Sequence, residues 1–229
     1  MSERMKNKKR HIFLFILALI AVGSMAQPRL RRPEISFGVH GGVSASYVFF
    51  TPSVANMTPV YNACTLGGNG GLVFRYAGHK YCSLQVELNY VHRGWAERSG
   101  DQWYGRHLHY VELPLMMHLN FGSETWRWFF NLGPQIGYCV KDEGNAGVLV
   151  NGPGQPEYEL IDHPFDWGLI AGTGIYYHTR NAGTYQLEFR FDFSFGGIYG
   201  TSLIDHFSMA SPMDLSINLA WLWNFKKKQ

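Results

Sequence analysis

Cysteine is scarce: 229 residues hold Cys64, Cys82 and Cys139, and no two stand in a Cys-x-x-Cys spacing. An odd count without paired spacing argues against a disulfide scaffold, although a Cys64–Cys139 bridge near one end of the fold stays open. Long apolar runs are absent beyond the N-terminus, so no later segment reads as a transmembrane helix. Charge is sparse at 16%, and the formal +3 belongs mostly to the leader and the chain ends, which gives no basis for nucleic-acid binding. The glycine-rich Gly67–Gly71 is followed by no Lys-Ser/Thr and opens no helix, so it is not a phosphate loop. Glycine there suits strands that bend sharply.

What is present begins with an export signal. Arg4, Lys6, Lys8, Lys9 and Arg10 precede an apolar run over Ile12–Val22, and Ser24-Met25-Ala26 places small residues before Gln27. The run is shorter than the roughly 20 residues of a spanning helix. No cysteine follows it, so a lipoprotein anchor is not expected. The expected organisation is a signal peptide over 1–26, a short lead-in over 27–34, one domain over 35–225 and a basic tail over 226–229.

That domain alternates. Tyr185–Phe195 reads YQLEFRFDFSF, with aromatic or apolar residues at odd positions and Gln186, Glu188, Arg190, Asp192 and Ser194 between them. A period of two is a β-strand whose faces meet different media. The same alternation recurs over 35–47, 66–76, 82–92, 107–121, 126–138, 166–178 and 213–225, making eight strands. Each exceeds the five or six residues usual in globular sheets and is long enough for the 9–11 that cross a bilayer at a tilt.

Two media fit one such strand: the core of a soluble periplasmic β-sandwich, or lipid around a barrel. The connections favour the barrel. Those near 51–65, 93–106, 141–163 and 196–211 are long, whereas 77–80, 122–125 and 179–184 are tight, the alternation of outer-membrane barrels. Trp126, Trp128, Tyr185, Trp221, Trp223 and Phe225 cluster beside tight turns or the C-terminus, as an aromatic girdle at a lipid boundary would. Tyr47, Tyr90, Tyr138 and Trp167 mark the opposite rim. Turning Glu188, Arg190 and Asp192 outward would put charge in hydrocarbon, where an arginine costs roughly 2–4 kcal/mol. Turned inward, Arg75, Arg127 and Arg190 can pair with Glu87, Glu112, Glu188, Asp192 and Asp214 as a structural interior network. The expected fold is therefore all-β: an eight-stranded antiparallel up-and-down transmembrane β-barrel with a filled polar interior.

At Tyr110–Asn120 the sequence reads YVELPLMMHLN, followed after a tight turn by WRWFFNLGPQIGY. This block resembles the PorT-like outer-membrane β-barrel family of Bacteroidota, and the leader ending in Ala-Gln is similar to that group's. The resemblance implies a small outer-membrane barrel and, by way of the founding member, a link to type IX protein secretion. The chain departs from such barrels at its end, where Phe225 is followed by Lys226-Lys227-Lys228-Gln229 instead of closing on an aromatic residue.

Asp205-His206-Phe207-Ser208 resembles the His/Ser pair of outer-membrane lipid A deacylases, in which histidine deprotonates serine. Met209 departs from the asparagine expected there, and a polar external loop is the preferred reading. His92, His107 and His109 share a strand face near the outer rim and could bind zinc or copper, although rim histidines without metal are commoner. Trp95, Trp103, Tyr104 and Tyr158, expected on external loops, suit recognition of a protein or glycan and are equally ordinary near a membrane surface. The reading is an integral outer-membrane protein with a structural, interaction or secretion-accessory role. It is not an open porin and not an enzyme, and it has no cofactor, metal or nucleic-acid partner. Its expected partners are outer-membrane lipids and envelope or secretion-system proteins, around a monomeric barrel. The alternative is a hydrolase using His206 and Ser208.

Overall fold

The computed structural model describes residues 29–52, 62–99, 102–123, 125–147, 164–179, 182–196 and 207–225. They form eight strands: β1 (Arg29–Pro52), β2 (Asn62–His79), β3 (Cys82–Ser99), β4 (Gln102–Gly122), β5 (Trp126–Gly147), β6 (Phe165–Thr179), β7 (Gly183–Ser194) and β8 (Phe207–Phe225). Each pairs antiparallel with the next, and β1 closes on β8 from Ile35↔Phe225 to Pro52↔Phe207. The barrel has no open edge. Gly122 (φ 134°) and Gly183 (φ 92°) sit at the ends of two tight turns, in backbone conformations that favour glycine.

The two faces carry opposite chemistry. In β7, Phe189 is 55% exposed while Glu188 and Arg190 are 2% and 4% exposed. An apolar outer face around a polar interior inverts the usual globular order and is what lipid requires. Trp126, Trp128, Tyr185, Trp221, Trp223 and Phe225 all point outward at the tight-turn end. There Trp126 packs against Tyr177 at 4.8 Å, and the Trp221 indole donates to the Ala182 carbonyl at 2.7 Å.

The strands run further than their apolar pattern. β3 and β4 continue through most of residues 93–106, expected to be a loop, and pair from Gly94↔His107 to Ser99↔Gln102. β1 likewise starts at Arg29, inside the expected lead-in. For β3 and β4 the reason lies above the outer rim, where the faces exchange roles. Outward positions become His92, His107, His109 and Lys141, whereas inward positions become Trp95, Leu108 and Tyr110, each 1% exposed. A protruding barrel wall meets water outside and needs an apolar core within, so alternation persists with its sense reversed.

The interior is layered and not uniformly polar. Val73, Met116, Phe129, Ile170, Tyr176 and Leu222 are buried among the polar groups. Phe129 belongs to the aromatic run WRWFF yet points inward, opposite Gly174 of β6, where an added Cβ would meet its ring at 2.8 Å. Glycines on that inward face leave the room that large side chains occupy.

Candidate functional site

The bore is bridged at two levels. At the lower level, nearer the tight turns, Arg190 of β7 reaches across to Glu87 of β3 with two parallel hydrogen bonds, 2.8 and 2.9 Å, and also donates to Glu188 at 2.8 Å. Such fork-to-fork geometry is the strong form of an ion pair. Two glutamines extend it. Arg75 donates to Gln85 (2.8 Å from Nε) and to Gln186 (2.5 Å), Gln85 donates to Glu87 at 2.6 Å, and Gln186 donates to Glu188 at 3.2 Å. Arg75, Gln85, Glu87, Arg190, Glu188 and Gln186 thus close a ring of hydrogen bonds across the lumen. Asn131 donates to the other oxygen of Glu188 at 2.7 Å, and Asn89 joins Arg190 on Glu87 Oε2 at 2.9 Å.

The upper level centres on Arg93. It lies 2.7 Å from Glu112 and 3.4 Å from Asp166 and forms a third ion pair with Asp214, joining β3 to β4, β6 and β8. Ser46 donates to Asp214 and Ser194 to Asp166. Asp192 stands opposite Asp214 across the β7–β8 ladder. Between the two levels Glu112, Arg190, Asp192 and Asp214 bound a cavity of about 10 Å³, the scale of one water molecule. Above Arg93 come the Tyr110 ring at 5.4 Å, then Trp95 with Arg106 over it at 5.6 Å. Arg106 pairs with Asp142.

Below the Arg75 ring, at the tight-turn end, a vestibule of about 360 Å³ opens. Arg75, His118, Arg127, Tyr176 and Asn224 are among its walls. Arg127 donates to the Ser123 carbonyl and to Asn120, both at 2.9 Å. It is half-buried at the mouth and joins the bridge with no carboxylate, so the expected pairing of Arg127 with an acid does not form among the described residues. Arg75 is bound to glutamine oxygens, where a direct carboxylate partner was expected.

Outside the lumen, His92 stacks between His107 (4.9 Å) and His109 (4.7 Å) above the outer rim, and His109 Nδ1 meets the Tyr90 hydroxyl at 2.8 Å. Partial burial and the neighbouring His109 and His107 push the His92 imidazole below its usual pKa. Among the described residues no group of three or more metal-ligating side chains is arranged around a common point. Cys64 and Cys139 are both free thiols. His206 and the side chains of Ser208, Trp103, Tyr104 and Tyr158 lie outside the described residues.

The expected interior residues Glu87, Glu112, Glu188, Arg190, Asp192 and Asp214 are all buried in the lumen, and Arg75 with them. Arg93, Asp166 and the two bridging glutamines were missed. Their signal was parity: continuing the alternation of β3 past His92 turns Arg93 inward.

Residues 25–200 match the family described as outer membrane protein beta-barrel domain. No sequence among curated proteins matches. Among solved structures, the outer membrane protein OprG from Pseudomonas aeruginosa is similar at 11% identity and TM-score 0.51, covering 82% of this chain and 95% of that one. The Yersinia pestis attachment invasion locus protein Ail, solved with the heparin analogue sucrose octasulfate, is similar at 12% identity and TM-score 0.42, covering 83% and 99%. Neisserial surface protein A is similar at 10% identity and TM-score 0.41, covering 81% and 96%.

Proposed function

The chain belongs to the outer membrane protein beta-barrel domain family, and we propose that this bacterial outer-membrane barrel works at its two ends and not through its bore. Its role in this reading is that of a membrane-anchored interaction protein, an accessory to secretion or surface assembly of the PorT-like kind. The carrying observation is the pair of cross-lumen arginine bridges. Arg190 to Glu87 and Arg93 to Asp166 join strands that are not neighbours, so a solute passing along the axis would have to break buried ion pairs. Opening them without replacement leaves charge unpaired in a dry interior, which is strongly unfavourable.

The resemblance at Tyr110–Tyr138 supports the secretion-accessory part. The ends supply suitable surfaces: a β3–β4 hairpin stiffened by an apolar core shared with Val48 of β1 on one side, tight turns and the vestibule on the other. The test has two readouts. Purified barrel in planar bilayers is expected to show no steady conductance, and sustained single-channel currents would refute an occluded bore. Photo-crosslinkers at the tight turns in intact cells are expected to capture envelope proteins of a secretion assembly. Capture of lipid alone at every position would refute the accessory role.

A further inference from the structure

The vestibule carries a charge imbalance. Among the described residues its lining includes the cations Arg75, Lys80 and Arg127 against one carboxylate, Glu34. Arg75 is 7% exposed, and the hydrogen bonds of Arg75 and Arg127 go to neutral oxygens. The two carboxylates above, Glu87 and Glu188, bond Arg190 directly and reach Arg75 only through Gln85 and Gln186, so the ring is neutral as a set. Guanidinium groups held away from carboxylates in a partly enclosed space favour an anion.

A second feature narrows the anion. His118 is 1% exposed and stacks on Phe129 at 4.9 Å. Its Nδ1 lies 2.7 Å from Asn131 Oδ1, whose amide nitrogen donates to Glu188, so Nδ1 is the donor of that bond. In the neutral ring Nε2 is then an acceptor, and it is buried with no partner among the described residues. An unpartnered buried acceptor is costly and calls for a ligand hydrogen.

We propose that the vestibule binds inorganic phosphate from the periplasm, with Arg75 and Arg127 holding the phosphoryl oxygens and His118 Nε2 accepting from a P–O–H. With Arg75 balanced inside the ring, Lys80 and Arg127 against Glu34 leave one formal positive charge at the mouth for an anion to answer, and only an oxyanion that keeps a proton near neutral pH satisfies His118. The Arg75 ring closes the floor, so this is a binding site with no route onward. The inference is independent of any secretion role.

The phosphoryl group could belong to a soluble anion or to a lipid headgroup, and the lipid phosphodiester lacks the hydrogen. The test is calorimetric titration of the refolded full-length barrel in zwitterionic micelles with inorganic phosphate, and with sulfate as the isosteric anion without a proton. Phosphate is expected to bind at least about tenfold more tightly than sulfate. Arg127→Gln, at the mouth, is expected to weaken both anions. His118→Phe, which keeps the aromatic stack, is expected to bring phosphate down to the sulfate level and leave sulfate unchanged. Both variants are first checked for native strand content and melting. Failure of folded wild type to bind phosphate, equal affinity for the two anions, or phosphate binding unaltered in either folded variant would overturn the assignment. So would competition by phosphatidylglycerol in nanodiscs, which would give the site to a headgroup.

Discussion

Arg93 meets carboxylates on three other strands, so deleting its charge leaves Glu112, Asp166 and Asp214 facing one another in a dry lumen. Arg93→Met is expected to lower unfolding free energy by about 3–5 kcal/mol, measured by urea unfolding in micelles. Arg127→Gln, with neutral partners at the mouth, is expected to cost only about 1 kcal/mol. Gly172 faces Glu188 so closely that a Cβ would strike its carboxylate. Gly172→Ala should therefore displace Glu188 from Arg190, seen as a lower melting temperature. At this scale the sequence was legible where parity and charge agreed, as at Glu188, Arg190 and Asp192. It was silent on which arginine meets which acid, because partners such as Arg190 and Glu87, 103 residues apart, are brought together only by closure. Phe129 was illegible for a related reason: its inward place depends on Gly174 of the neighbouring strand.

Among the elements, the β3–β4 hairpin shows why strand ends were harder to read than strand centres. Apolar-outward alternation ends the expected strand at His92 and resumes at His107, since His92, His107 and His109 take the outward positions. The pattern continues with its sense exchanged, and a template that assigns one medium to each face ends there. The histidine stack gives this hairpin a pH response. The His92 imidazole lies below its usual pKa in the folded chain, so the unfolded chain binds the proton more readily. Stability of the hairpin is therefore full above about pH 6.5, the ordinary histidine value, and falls as acid is added. Imidazole proton shifts in NMR titration should give His92 a midpoint below that of an exposed histidine. Hydrogen exchange in β3–β4 should quicken as pH falls from 7 to 5, after correction for intrinsic rates, and His92→Gln should flatten that change.

Taken whole, the molecule is a cylinder whose stability in lipid depends on an uncharged belt. Phe191 lies between the two aromatic rims on the outer face. Phe191→Arg is expected to cost about 2–4 kcal/mol in bilayers, read as the change in reversible unfolding from liposomes. The same substitution at Phe225, beside the boundary, should cost about 0–1 kcal/mol. Barrel closure also sets the chain's own geometry. Ile35 and Phe225 are direct neighbours on the ladder, so the early part of β1 and the end of β8 lie side by side at one rim. The polypeptide is in effect a loop with a nick in it. A short linker across that nick, with new termini cut into residues 53–61, would rename β2 as the leading strand and leave every rung of the ladder in place.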